Sequence, residues 1–176
     1  MRTRRVAIFA VLAAVMLVPA SGQARSRRAV APLASLQSAL IGQVNAFRAA
    51  HGLARLRLSP ALGAAAAAHS TQMARVGYFS HNSANGTPFS RRIVTFYPAR
   101  GYRSWTAGEN LLWASPDVGA ARALKLWLAS PPHRANLLNP RWREIGLAAV
   151  HSTSAPSVYH NAPATIVTAD FGARTR

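Results

Sequence analysis

The chain reads as an α+β domain in which helices cover a small antiparallel sheet. Three observations predict this. Helical spacing with matched start and stop signals recurs through the first two thirds of the chain, short apolar or alternating stretches come late and are joined by a polar loop, and the two kinds of element do not alternate as a parallel sheet requires.

The helices follow in order. Leu33, Leu36, Leu40, Ile41, Val44 and Phe47 recur at helical spacing, and Gly52 stands where a left-handed cap is needed. Ser59-Pro60 offers an N-cap followed by proline at the first helical position, the alanine-rich run to Val76 has high helix propensity, and Gly77 closes it. Thr87-Pro88 and Ser115-Pro116 repeat that start signal, predicting a short helix to about Phe96 and a longer one to about Ala129, with Gly119 weakening the latter slightly. Ile145 to Val150 and Thr165 to Phe171 read as an antiparallel pair of strands, and Glu109 to Trp113 as a short third.

The N-terminus carries a different signal. Met1-Arg2-Thr3-Arg4-Arg5 supplies positive charge, and Val6 to Val18 is apolar without interruption. That run covers about 20 Å as a helix against about 30 Å of hydrocarbon, and Pro19 stops it from growing, so it reads as a secretory signal and not as a membrane anchor. The small residues Ala20, Ser21, Gly22 and Ala24 place cleavage after Ala24, or after Gly22 as a second choice. Residues 1–24 are therefore expected to be a signal peptide, 25–32 a flexible lead, and 33–176 one globular domain delivered to the cell envelope, the periplasm or the medium.

Twenty-one basic and four acidic residues give the chain a formal charge of +17. Arg2, Arg4, Arg5, Arg25, Arg27 and Arg28 all precede the expected domain, which retains +11 without them. Such a charge favours anionic polymers or lipid head groups. Nucleic acid is an unsuitable partner: the basic residues are scattered singly or in pairs such as Arg91-Arg92, with no reading motif, and an exported protein rarely meets nucleic acid. Twenty of the twenty-one are arginine and alanine is abundant, so genomic base composition accounts for part of the bias. No cysteine is present, which in an exported chain points to a bacterial secretory route and a core stable without cross-links. Nothing in the sequence fixes the oligomeric state.

Acids are so scarce that each can be weighed alone. Asp117 falls at an expected helix start, where the macrodipole favours a negative charge. Glu144 lies beside Arg141 and Arg143, and Asp170 is expected to pair with one of the many arginines. Glu109, between Gly108 and Asn110 before an apolar run, has no such local explanation and is the candidate functional carboxylate. Among the six histidines, His51 caps the first helix, His69 lies within the second, and His151 and His160 fall in the polar hairpin loop. His81 and His133 stand at loop-to-helix junctions, where rigid elements position functional groups. The chain has no HExxH, GxSxG, CxxC or glycine-rich phosphate loop.

Taken in order, Asn45-x-x-Arg48, Gly52-Leu53, Leu58-Ser59-x-x-Leu62, Phe79-Ser80-His81, Gly108-Glu109-Asn110, Trp127-x-x-Ser130-x-x-His133-Arg134-x-Asn136-Leu137, Ile145-Gly146 and Phe171-Gly172 resemble the CAP superfamily of SCP-like extracellular proteins, closest to its bacterial cysteine-free branch. The resemblance implies an α-β-α sandwich around a three-stranded antiparallel sheet, and a cleft lined by two histidines and two acids. His81, Glu109 and His133 occupy three of those positions, while Ser130 stands where many members carry the second glutamate. Family members are reported to bind divalent metal, sterols or other lipids.

Three readings follow. The first is a non-catalytic secreted binding module whose cleft and basic surface hold a lipid, an anionic envelope polymer or a partner protein. Ser80 and Ser130 read as turn and cap residues, so no activated nucleophile is visible. The second is a metal-assisted hydrolase in which His81 and His133 hold a divalent metal such as zinc, with Glu109 as a third ligand or as the general base. The third is a structural envelope domain whose cleft histidines are only hydrogen-bonded.

Overall fold

The computed structural model describes residues 29–176; the expected signal peptide lies outside the described residues. Three long strands form the sheet: β3 (Ser104–Ala114), β4 (Glu144–Ser152) and β5 (Ala164–Thr175), with β5 central and antiparallel to both neighbours. Two short strands extend it to five. β1 (Val30–Pro32) runs antiparallel along β4, and β2 (Arg57–Leu58) pairs with β4 in parallel. The end of the expected flexible lead is therefore ordered as β1. Its backbone, with Leu33 N–H donating to the Ala149 carbonyl at 2.9 Å, occupies an edge of β4 that would otherwise be open to other chains.

Among the described residues five α-helices cover the sheet: α1 (Ala34–Ala50), α2 (Pro60–Val76), α3 (Phe89–Phe96), α4 (Ala120–Ala129) and α5 (Pro131–Leu137). Side chains alternate along each strand, and the alternation sorts the layers. Leu112, Leu147, Ala149, Val167, Ala169 and Phe171 pack with Leu40 and Val44 of α1 and with Ala123 and Trp127 of α4. Leu111, Val150, Ala164 and Ile166 point the other way, toward Met73 and Ala74 of α2, and Leu62, Ala65, Ile93 and Tyr97 close the α2–α3 side. The result is the expected sandwich. Each large side chain withdrawn completely from water contributes on the order of 1.5–3 kcal/mol.

Local signals account for α2 well. The Ser59 hydroxyl accepts from Leu62 N–H, Pro60 is the first helical residue, and Gly77 adopts φ 87° at the C-cap. A Cβ on Gly77 would meet the Pro156 carbonyl oxygen at 2.7 Å, so glycine is required there twice over. The Ser115-Pro116 signal misleads: Ser115 donates its hydroxyl to the Pro163 carbonyl at 2.7 Å, Val118 is drawn into the core, and α4 starts at Ala120 with Gly119 as its N-cap. Asp117 therefore precedes the helix instead of opening it. Glu144 turns to Arg57, at 3.8 Å, and to the Tyr97 hydroxyl, which donates to it at 2.5 Å, not to Arg141 or Arg143. His51 caps α1 as expected, with Nδ1 2.8 Å from the Phe47 carbonyl. No helix among the described residues is long and apolar enough to cross a membrane.

Candidate functional site

A cleft of about 500 Å³ opens beside β3 and is lined by His81, Glu109 and His133 together with Asn110, Asn136 and Asn139. Its position follows from strand order. Adjacent residues of β3 face opposite sides of the sheet, so Glu109 points toward the α2–α3 layer with Leu111, and Asn110 toward α5 with Leu112. Because β3 is an edge strand, both faces border the same opening.

His81 enters on the turn after α2. Its backbone is fixed by two groups from different helices: His69 Nε2 donates to the Ser80 carbonyl at 2.9 Å, and Arg92 Nη1 donates to the His81 carbonyl at 3.0 Å. His81 Nδ1 lies 2.8 Å from Glu109 Oε1. An ionised carboxylate only accepts, so Nδ1 carries the hydrogen and, in the neutral ring, Nε2 keeps its lone pair. The His81 side chain is 50% exposed and that of Glu109 is 0% exposed, so the carboxylate is the floor of the site and the imidazole its accessible part. The second Glu109 oxygen, Oε2, accepts from Arg92 Nη2 in a buried ion pair.

His133 comes from α5, a helix absent from the sequence reading although Ser130-Pro131 repeats the serine–proline start signal, with proline at the first position. Its carbonyl accepts from Asn110 Nδ2 at 3.1 Å, and Asn110 Oδ1 accepts from Asn136 Nδ2 at 2.9 Å. Trp142 Nε1 then donates to the carbonyl and to Oδ1 of Asn136, both at 3.0 Å. From α1, the buried Arg48 grips the far end of α5, donating from Nη1 to the Leu137 carbonyl at 2.7 Å and to the Asn139 carbonyl at 3.1 Å. Burial, with a smaller contribution from His81, holds the His133 imidazole below its ordinary value, so it is neutral at pH 7. Ser130 does not line this cleft. It borders a neighbouring apolar cavity of about 290 Å³ with Phe79, Trp113, Leu126 and His133.

The donor set does not fit a closed metal centre. Glu109 spends one oxygen on His81 and the other on Arg92, which leaves two imidazoles, and no group of three or more His, Cys, Asp or Glu side chains suited to a metal ion exists among the described residues.

Five residues that build the site had no functional reading in the sequence. His69 and Arg92 hold the His81 turn, Asn110 and Asn136 hold His133, and Asp170 lies opposite Glu109 across the β3–β5 ladder. Asp170 does not pair with an arginine as expected; neither of its oxygens has a donor.

This fold and this cleft define a class. Residues 41–171 match the CAP family, described as the cysteine-rich secretory protein family, and the chain belongs to it although it contains no cysteine. Among its relatives, the uncharacterized protein YkwD of Bacillus subtilis is 32% identical over 139 residues, a match covering 77% of this chain and 51% of that protein, so the chain spans about half the length of that relative. A crystal structure of an extracellular protein containing an SCP domain, from Bacillus anthracis, is similar at 26% identity and a TM-score of 0.61, over 81% of this chain and 41% of that one. An outer surface protein of Borrelia burgdorferi shares the fold, with 20% identity and a TM-score of 0.68 over 84% of this chain and 99% of that one.

Proposed function

We propose that the protein is a secreted, non-catalytic binding module whose cleft holds an anionic segment of a cell-envelope polymer. One observation carries this reading. Both oxygens of Glu109 are engaged inside the protein, so the carboxylate most suited to act as a base or metal ligand serves to orient His81 instead. What faces the cleft is a set of hydrogen-bonding groups, the two imidazoles and the amide of Asn139, in front of the engaged amides of Asn110 and Asn136, on a domain with a large positive charge. Delivery outside the cytoplasm is supported by the charged and apolar order of residues 1–18 and by the extracellular and outer-surface descriptions of two structural relatives.

The test is titration with poly(glycerol phosphate). Binding should weaken as salt rises, because exposed charges are screened, and His81→Ala and His133→Ala should each lower the affinity by about tenfold, about 1.4 kcal/mol. Equal affinity for all three proteins overturns the assignment of the cleft. Turnover of ester or peptide substrates that disappears in the same variants would establish the hydrolase in its place.

A second reading, a lipid with its head group in the cleft, is favoured by the apolar cavity that shares His133 and by the half-exposed side chains of Phe79 and Leu126 at its rim. Phe79→Ser should then weaken binding to phosphatidylglycerol vesicles and leave binding to the polymer unchanged.

A further inference from the structure

The chain has four acidic residues, and two of them face each other in its interior. Glu109 and Asp170 are register partners across β3 and β5, on the face that packs against α2 and α3. Asp170 is 0% exposed, and neither of its side-chain oxygens has a donor. A buried carboxylate that faces a second carboxylate with no donor is strongly disfavoured, whereas a carboxylic acid can donate to the carboxylate opposite, so one carboxyl of the pair carries a proton. Glu109 already accepts on both oxygens, from His81 and from Arg92, whereas Asp170 accepts from nothing, so the proton belongs on Asp170.

The surroundings point the same way. The titratable and charged groups of this pocket are Glu109 on β3, Arg92 on α3, His69 on α2, and Tyr78 and His81 on the segment after α2, while the β4 partner of Asp170 is Gly146, which brings none. Arg92 is the one permanent cation there, and its Nη2 bond goes to Glu109. Burial first, then the like charge of Glu109, push the Asp170 carboxyl well above its ordinary range. A carboxylate has about four lone-pair positions, so Glu109 retains room for a third donor.

We propose that Asp170 is an uncharged carboxylic acid that donates its O–H to Glu109, and that it is a positioning residue: it holds Glu109 with one oxygen toward His81 and the other toward Arg92. The floor of the cleft is then one carboxylate matched by one guanidinium and carries no net charge, which suits an anionic ligand above it. This use rests on the binding reading, but the test addresses the carboxyl and the imidazole directly and stands apart from any ligand.

Asp117 and Asp170 are the two aspartates of the chain, so carboxyl carbon-13 labelling of aspartate in the wild-type protein gives two signals to follow against pH. The Asp170 signal, assigned by its absence in Asp170→Asn, should remain that of a protonated carboxyl at neutral pH. The Nδ1 proton of His81 should be visible as a downfield signal in the wild type and in Asp170→Asn, whose amide still donates without charge, and should be lost to exchange in folded Asp170→Ala. Two aspartate signals that are both ionised at neutral pH overturn the proposal, even if neither variant folds. So does an Asp170→Asn protein that loses the His81 signal as readily as Asp170→Ala.

Discussion

Asn136 on α5 donates to Asn110 on β3 at 2.9 Å, and Asn110 passes the connection on to the His133 carbonyl at 3.1 Å. Through this pair the last helix of the cleft is fixed to the edge strand. Asn110 is completely buried and Asn136 also receives the Trp142 indole. Leaving such groups without partners costs about 1–3 kcal/mol each. Asn110→Leu should therefore lower unfolding stability by about that amount in urea titrations, and should weaken polymer binding beyond what the same stability loss causes at a site remote from the cleft.

Arg92 and Glu109 form a buried ion pair, with the two side chains 8% and 0% exposed. Removing one partner strands the other charge, which costs about 3–5 kcal/mol, whereas replacing both restores part of that loss. Arg92→Met should be strongly destabilising, and Arg92→Met with Glu109→Gln should be less so than the sum of the single changes. Denaturant midpoints for the four proteins of the cycle measure the coupling, and strict additivity would mean that the pair is not energetically linked.

The elements governed by neighbouring residues were readable in the sequence, and those governed by distant ones were not. The limits of α2 follow from Ser59, Pro60 and Gly77, each acting on its own turn of backbone. The start of α4 lies later than expected because the Ser115 hydroxyl is claimed by Pro163, the residue that leads into β5. The third strand is expected only over Glu109 to Trp113, where the apolar run lies; its pairing with β5 extends from Ser104 to Ala114. The same holds for the site. His81 and His133 stand out by their loop-to-helix junctions and Glu109 by its lack of a local partner, and the family motifs, not the spacing, join them, while Asp170 and Arg92 gain meaning only once the β3–β5 register and the packing of α3 bring them to Glu109. A serine–proline start at Ser130 is present in the sequence and does open α5, but the same pair at Ser115 opens no helix, so the signal alone does not decide.

Gly146 sets how closely α2 approaches the sheet. A Cβ at this position would stand 2.0 Å from the Gly63 backbone nitrogen and 2.0 Å from the Leu62 carbonyl carbon, both main-chain atoms that cannot rotate away. Overpacking of this kind costs about 1–3 kcal/mol and more where backbone must move. Gly146→Ala should sit at or above the upper end of that range, whereas Gly63→Ala, where a Cβ meets nothing within 4 Å, should be close to neutral. Thermal unfolding of the two variants side by side checks the contrast.

His69 gives the fold a specific acid sensitivity. It is 0% exposed, its Nε2 holds the Ser80 carbonyl beside His81, and burial pulls its imidazole down to about 4, partly offset by the charge of Glu109. In the unfolded chain the ring titrates near its ordinary value of about 6.5. Between those values the unfolded state binds a proton that the folded state refuses, so stability falls as pH drops from about 6.5 toward about 4 and levels off below that. Each tenfold loss of proton affinity is worth about 1.4 kcal/mol, so the decline amounts to roughly 3 kcal/mol. Asp170 acts in the opposite direction, since a raised carboxyl stabilises the folded state less as pH rises above the ordinary aspartate range. Urea unfolding between pH 4 and 7 separates the two: His69→Gln should remove the larger part of the decline on the acid side, the remainder coming from His133, whose imidazole burial also lowers, and Asp170→Asn should steepen the wild-type decline by removing the group that opposes it. An acid-side slope undiminished in His69→Gln would assign the sensitivity to another group.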